Sequence, residues 1–419
     1  MSRSVLYISQ AAPLPARRRT WQQARALAQQ GWKVRVLCPR RRGACETECQ
    51  DGIRIVRFAQ PFEGRGRAGI LIEYAFAALV IGWALSRELL KERVDVLHVV
   101  NPPDWIALAA LLLRPLGAKL VFDLADLTPR LYQAKFARRD IAYRALCAIN
   151  RAVLRRADLV ITSNDDYRRI AIRLGRRRWR SKPTIAIHSY PEFVANRPSP
   201  RSPGPLRIGY LGILGAQDGV ASLLQAVSIL RAKTDLPEFE LQVVGDGPEA
   251  ASLRELSRGL GLQNCVKFLG FLEGEARDRT VAAFDIAVAC DPLNRFTRRI
   301  SLNKIFAYSG LGLPIVATPL PGTRRLMGDA AQYTSNDTAQ ALADELEAML
   351  RSDVRRLAFA QKARDRASRQ FSWAKEAEAY VAAVENLADP LTRPAPRSPA
   401  PPDSHPGPGT SVPAPPSTG

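Results

Sequence analysis

Histidine is scarce, three in 419 residues, so acid–base chemistry has few imidazoles to draw on. Carboxylates are outnumbered as well, 40 against 61 Lys and Arg, which leaves a formal charge of +21. No apolar run is long enough to span a bilayer: the longest uninterrupted block, Tyr74 to Leu85, has 12 residues and follows Glu73, whereas a span takes about 20. The start, "MSRSVLYISQ", lacks the charged region, apolar block and cleavage site of a secretory signal, and a cytoplasmic protein is expected. Disulfides are not implied. Of the six cysteines, Cys38, Cys147, Cys265 and Cys290 lie in or beside apolar patterns, where free cysteine acts as a small hydrophobe. Cys45 and Cys49 in "CETEC" have an unusual spacing for a metal clip and no histidine nearby, which favours a reduced surface loop and no metal.

What is present is globular: 46% hydrophobic and 24% charged residues, in a length that suits two domains better than one. The charge is unevenly placed. Residues 1 to 200 carry 36 Lys and Arg against 16 Asp and Glu, or +20; the remainder carries 25 against 24, or +1. A basic half suggests a surface that meets anionic lipid or nucleic acid, and a solvated arginine-rich surface with no partner weighs equally. Nucleic acid is the weakest of these, because aromatics are not interleaved with arginine on one strand or helix face.

Strand-like runs alternate with helical patterns along the first half: "SVLYIS", "KVRVLCP", "IRIVRFA", "VDVLHVV", "KLVFDL", "LVITSN" and "TIAIHS". Apolar strands with crossover helices predict a parallel sheet covered on both faces. The Pro/Ser/Gly stretch at 194–206 reads as a linker, after which the rhythm restarts with "LRIGYLG" and "FELQVVGDGP". The expectation is two Rossmann-like domains, 1–193 and 207–389, with the ligand cleft between them. Helical patterns at 337–351, 353–369 and 373–388 are expected to close the second domain. Residues 390–419 hold 11 of the 31 prolines and almost no large apolar residue, so a disordered tail is expected. The helix at about 69–90 reads as a buried helix of the first sheet, with an interfacial helix dipping into lipid as the alternative.

Glycines cluster after two strands of the second half: Gly209, Gly212, Gly215 and Gly219, then Gly245 and Gly247. Glycine lets a backbone turn tightly and approach a phosphate, although tight βα turns use it too. Further on, "SLNKIFAYSGLGLPIVATPLPG" carries Asn303 and Lys304 at a helix start and Gly322 at its end. A lysine there suits a diphosphate, against the alternative of a solvated helix lysine.

Taken in order, "NPPDW", "DLTPRLYQAKF", "ADLVITSNDDYRRIA", "GAQDGVASLLQAV", "VGDGP", "DPLN", "NKIFAYSGLGLPIVA" and "FSW" carry a resemblance. Over roughly residues 4 to 388 the chain resembles bacterial family 4 glycosyltransferases of the GT-B fold, nearest the branch that builds exopolysaccharide and O-antigen repeats. The resemblance implies transfer of a sugar, with retained configuration and no metal or other cofactor, from a nucleotide-sugar bound by the second domain. Gly212, Gly215, Gly247, Asn303, Lys304 and Gly322 would hold that donor. The acceptor, lipid-linked or a polysaccharide, would meet the first domain at Asn101, Asp104 and Asp123. It also implies peripheral attachment at the inner membrane face, and leaves room for a partner glycosyltransferase.

Several positions depart from the family's pattern. Where it carries a histidine before the Asp-Leu-x-Pro segment, this chain has Leu124 and Ala125. Ala307 replaces the ribose-holding glutamate, Arg299 stands where a second carboxylate is expected, and Ile213 and Asp218 replace basic residues that hold the diphosphate. The early Asp-Arg-Arg appears as Arg17, Arg18 and Arg19. Asp126 is the candidate for base work or acceptor contact, against an Asx-turn ahead of Pro129. Among the histidines His98 is the candidate to orient an acceptor, against a satisfied core residue. The same losses fit a second reading, a catalytically degenerate protein that binds sugar-nucleotides or scaffolds an active partner.

Overall fold

The computed structural model describes residues 3–10, 14–15, 18–40, 43–59, 66–115, 117–136, 138–176, 182–192, 204–294 and 297–389; side chains at 66–75 and 134–135 are outside the description. The expected tail and most of the linker lie outside the described residues.

Two sheets form, as the strand pattern predicts. The first contains β1 (Ser4–Ser9), β2 (Lys33–Pro39), β3 (Thr47–Gln50), β4 (Ile53–Phe58), β5 (Val96–Val100), β6 (Lys119–Leu124), β7 (Leu159–Thr162) and β8 (Thr184–Ala186), in the order β3-β4-β2-β1-β5-β6-β7-β8. The second contains β9 (Leu206–Leu211), β10 (Phe239–Val244), β11 (Val266–Gly270), β12 (Ile286–Ala289), β13 (Ile315–Ala317) and β14 (Gln332–Tyr333), in the order β11-β10-β9-β12-β13-β14. In each, the order reverses beside the first strand, the switch point at which open α/β sheets leave a crevice for ligands. Every described pairing is parallel except β3 on β4. That hairpin turns at Asp51 and Gly52, both at positive φ (52° and 75°), so "CETEC" is partly an edge strand rather than a loop. Cys45 and Cys49 are exposed there.

Helices cover the first sheet: α1 (Arg18–Gln29), α2 (Gly66–Lys91), α3 (Trp105–Leu113), α4 (Thr128–Phe136), α5 (Ile141–Arg156) and α6 (Asp165–Gly175). One apolar core lies under α2, α3, α5 and α6, including Ile81, Leu85, Ile106, Phe122 and Val153; another lies under α1, including Tyr7, Trp21, Val36 and Ile161. Buried Arg35 of β2 fastens α2 to the sheet by donating to the Glu88 carboxylate at 3.2 Å and its carbonyl at 2.9 Å.

The second sheet is covered by α7 (Val220–Arg231), α8 (Ala250–Gly259), α9 (Gly274–Ala282), α10 (Asn303–Gly310), α11 (Pro321–Met327), α12 (Ala339–Leu350) and α13 (Asp353–Gln370). The last helix, α14 (Trp373–Ala388), departs from expectation: it crosses back and packs on the first domain against α1. Its apolar stripe, Trp373, Ala377, Tyr380, Val381 and Val384, recurs at helical spacing and completes the core under α1. Sequence periodicity gives the stripe but not which domain receives it. The crossing is fixed by a buried polar contact, in which the Tyr380 hydroxyl meets Tyr7 Oη at 2.5 Å and His98 Nδ1 at 3.0 Å.

Candidate functional site

The ends of β1, β5 and β6 face the second domain. There Asn101, buried, works as a clamp on the turn after β6: its Oδ1 accepts from the Ala125 and Asp126 amides (2.7 and 3.1 Å), and its Nδ2 donates to the Asp126 carbonyl at 2.7 Å. Asp104, also buried, accepts from Asn101 (2.7 Å), Thr128 (2.7 Å) and Asn150 (2.8 Å), and burial raises its carboxyl above the usual range. Asp123 is buried and bound by the Arg19 guanidinium, which also donates to the Ile187 carbonyl at 3.1 Å. His98 stacks on Tyr7 with centroids 4.4 Å apart and lies 3.5 Å from Asp123. Burial lowers its pKa, against the opposing pull of Asp123, so the ring is neutral at pH 7.

His98, Asn101, Asp104 and Asp123 are therefore gathered at the strand ends and buried. Of the two readings of His98 the structure favours the core residue, enclosed by Tyr7 and the returning Tyr380. Asn101 and Asp104 support the turn after β6, and Asp123, embedded at its strand end, is held in a buried ion pair. Of the five first-domain candidates, Asp126 alone is only half-buried. Leu124, at one of the positions lacking histidine, belongs to the core, whereas Ala125 is half-buried.

In the second domain the turns after β9 and β10 interlock through their backbones. Leu214 N donates to the Asp246 carbonyl (3.0 Å) and Glu249 N to the Leu214 carbonyl (2.9 Å). A Cβ on Gly245, at φ +144°, would lie 1.8 Å from the Gly212 carbonyl oxygen, and one on Gly247 would lie 2.6 Å from that of Leu214. These glycines are required by the close approach of two protein turns. Gly212 and Gly215 would meet only the side chains of Tyr210 and Gln217, and Gly322 leaves room for the Ile300 carbonyl.

Asn303 is exposed at the start of α10, but Lys304 is not. Its ammonium is buried, donates to Asp291 (3.0 Å) and Tyr210 Oη (3.1 Å), and lies 4.0 Å from Asp218. The solvated-lysine alternative fails on burial. Burial by itself would lower the lysine's pKa, but Asp291 and the groups around it hold it above the ordinary value. Burial pushes the Asp218 carboxyl up to about 6 even with Lys304 beside it. Asp218 Oδ2 is buried without a hydrogen-bond partner. Ile213, at the other position that loses a basic residue, is exposed.

Cations reappear where the two domains meet. Arg130 of α4 has its pKa lowered by burial and then by Arg299 of the second domain; Arg18 of α1 is lowered by burial and then by Arg277 of α9. Ile300, beside Arg299, packs on the cores of both domains, and Arg325 pairs with Asp166 across the junction at 3.2 Å. At Arg18 the carboxylates of Glu192 and of Asp278, which pairs with Arg277 at 2.7 Å, oppose the repulsion; at Arg130 no carboxylate of the described residues does, and an anion there would be stabilised. These arginines were not singled out from the sequence, apart from Arg18 and Arg299 as departures, since only the fold brings them together. Among the described residues, no group of three His, Cys, Asp or Glu side chains is placed to hold a metal ion.

Residues 16–182 match the family described as Glycosyl transferase 4-like domain, and residues 205–352 match Glycosyl transferases group 1. The chain carries the two domains of a GT-B glycosyltransferase. A D-inositol 3-phosphate glycosyltransferase of Corynebacterium urealyticum is 30% identical over 203 residues, 46% of each chain, so the match spans about half of that relative. Sucrose-phosphate synthase from Thermosynechococcus elongatus superposes with a TM-score of 0.73 at 19% identity, covering 92% of this chain and 99% of that one. HepE of Anabaena, solved with UDP and glucose, gives 0.67 at 18% identity, with 92% and 100% covered.

Proposed function

We propose that the protein transfers a sugar from a nucleotide-sugar, bound by the second domain, to a lipid-linked or polysaccharide acceptor at the first domain, with retention and without a metal. What supports this reading is the pair of sheets, each with a switch point beside its first strand, together with Arg130 of the first domain lying near enough to Arg299 of the second to have its pKa lowered by it. A diphosphate leaving group gathers negative charge as the sugar bond breaks, and paired guanidinium groups stabilise it bidentately. Arg130 and Arg299 take that role in place of the basic residues replaced by Ile213 and Asp218. Asp126, half-buried on the turn after β6, is the group assigned to the acceptor hydroxyl. The +20 half suits a peripheral position at an anionic membrane face, as for an exopolysaccharide or O-antigen enzyme.

A second reading, a sugar-nucleotide binder or scaffold without turnover, is favoured by the carboxylates Asp218 and Asp291 around Lys304. Calorimetric titration with UDP- and GDP-sugars, paired with an assay for released nucleotide, separates the two. Binding with release supports the enzyme and binding alone supports the second reading, while the absence of binding by every donor rejects both.

A further inference from the structure

From residue 77 onward α2 has two apolar faces, and the described residues bury one of them. Ala77, Ile81, Ala84 and Leu85 are buried against the sheet, with Glu88 tied beneath by Arg35. Leu79, Trp83 and Leu90 recur at intervals of four and seven on the opposite side. Trp83 is 65% exposed, Leu79 74% and Leu90 88%. Four of the 12 exposed large hydrophobics of the described residues stand on this one helix, and its neighbour α3 adds Leu112 and Leu113. Scattered single exposures need no explanation, but a continuous stripe on a helix already anchored to its domain does.

The charges beside the stripe are cationic. The Arg87 guanidinium lies over the Trp83 ring, 5.4 Å from its centroid, and Lys91, one turn further on, is exposed while donating to Glu88 at 2.8 Å, a pair that lipid phosphate would compete for. A cavity of about 480 Å³ opens between α2 and the sheet edge, walled by Leu37, Val56, Phe58 and Val80, with Arg40 and Arg87 among its lining. The acidic members of that lining are Glu46 and Glu88, and Glu88 is buried in its pair with Arg35. Tryptophan at the level of the headgroups, leucines below and arginine above is the layering of a helix lying in a membrane interface. No helix of the described residues is long and apolar enough to cross a membrane.

We propose that α2 is the docking face for an anionic phospholipid bilayer: Leu79, Trp83 and Leu90 enter the headgroup boundary, while Arg40, Arg87 and Lys91 meet lipid phosphates. This deepens the peripheral-membrane part of the proposed function, and its test does not pass through sugar transfer.

The full chain is sedimented with vesicles of phosphatidylcholine alone and with vesicles in which a quarter of the lipid is phosphatidylglycerol. Binding is expected only to the anionic vesicles, weakening at least tenfold in high salt. The double substitution Leu79→Glu with Trp83→Glu is expected to lower partition at least tenfold; Arg87→Gln with Lys91→Gln is expected to lower it and flatten its salt dependence. Brominated lipid should quench wild-type tryptophan emission, and Trp83→Phe, a mild change on an exposed face, should bind while losing that component. Equal binding to both vesicles, unchanged partition of the double variant, or quenching that survives Trp83→Phe would overturn the proposal. Titration with UDP- and GDP-sugars without lipid reads the transferase proposal separately: vesicle binding with no binding of any donor keeps the docking face and rejects the enzyme, and the converse rejects the face alone.

Discussion

Asp218→Asn should stabilise the protein, and by an amount that depends on pH. The folded carboxyl has its pKa raised by burial from 3.8 to about 6, while the unfolded chain keeps the ordinary value. Between those two values the native state holds a proton that the unfolded state has released. Wild-type stability therefore falls as pH rises from about 4 to about 6, and the loss is complete above that window. A shift of roughly two units corresponds to about 3 kcal/mol at pH 8, and the residual difference near pH 4 is about 0.5 kcal/mol. Asparagine keeps the shape without the charge, so its advantage should be about 3 kcal/mol at pH 8 and nearly vanish at pH 4. Denaturant unfolding of both proteins at the two pH values reads this directly. An Asp218→Asn variant that is equally stable or less stable at pH 8 would refute the reasoning, because the carboxylate would then be held by Lys304 well enough to offset its burial.

Lys304→Ala should cost about 3–5 kcal/mol in the same assay, since it leaves Asp291 and Asp218 facing each other without their cation; loss of donor binding in that variant would then report unfolding. Arg299→Ala and Arg130→Ala, at the junction, should each weaken nucleotide-sugar binding by roughly 10- to 100-fold in calorimetry, the scale of a charged hydrogen bond, with little change in denaturation midpoint. Tyr380→Phe removes the hydroxyl shared by Tyr7 and His98 and should lower stability by about 1 kcal/mol, read from the denaturant midpoint. Gly245→Ala places a Cβ against the Gly212 carbonyl at a φ that alanine resists, and should cost upwards of about 2 kcal/mol by the same measure.

The sheets were legible because each strand is a short apolar run bounded by turn residues, and the parallel order follows from the helices between them. The Asp51-Gly52 pair also marks the β3–β4 hairpin in the sequence, since it is a common two-residue hairpin turn. The side chosen by α14 was not legible, since an apolar stripe states only that something must cover it. For the same reason the sequence of α2 did not show which apolar residues the sheet would take and which it would leave. At the strand ends residue type leaves a structural and a functional reading open, and burial favours the structural one: Asn101 is a clamp, Asp104 an acceptor of three hydrogen bonds and His98 a stacked ring. Lys304 was placed at the correct turn, but its partners lie 13 and 86 residues away along the chain, at distances a linear pattern does not encode.

The central claim is that a nucleotide-sugar binds between the glycine turns of the second domain and the arginines at the junction. A crystal structure of the chain grown with UDP-glucose tests it most directly. The account predicts diphosphate density within hydrogen-bond reach of Arg299, over the turns after β9 and β10. Density elsewhere, or an empty cleft at saturating nucleotide-sugar with GDP-sugars failing in the same way, would contradict it.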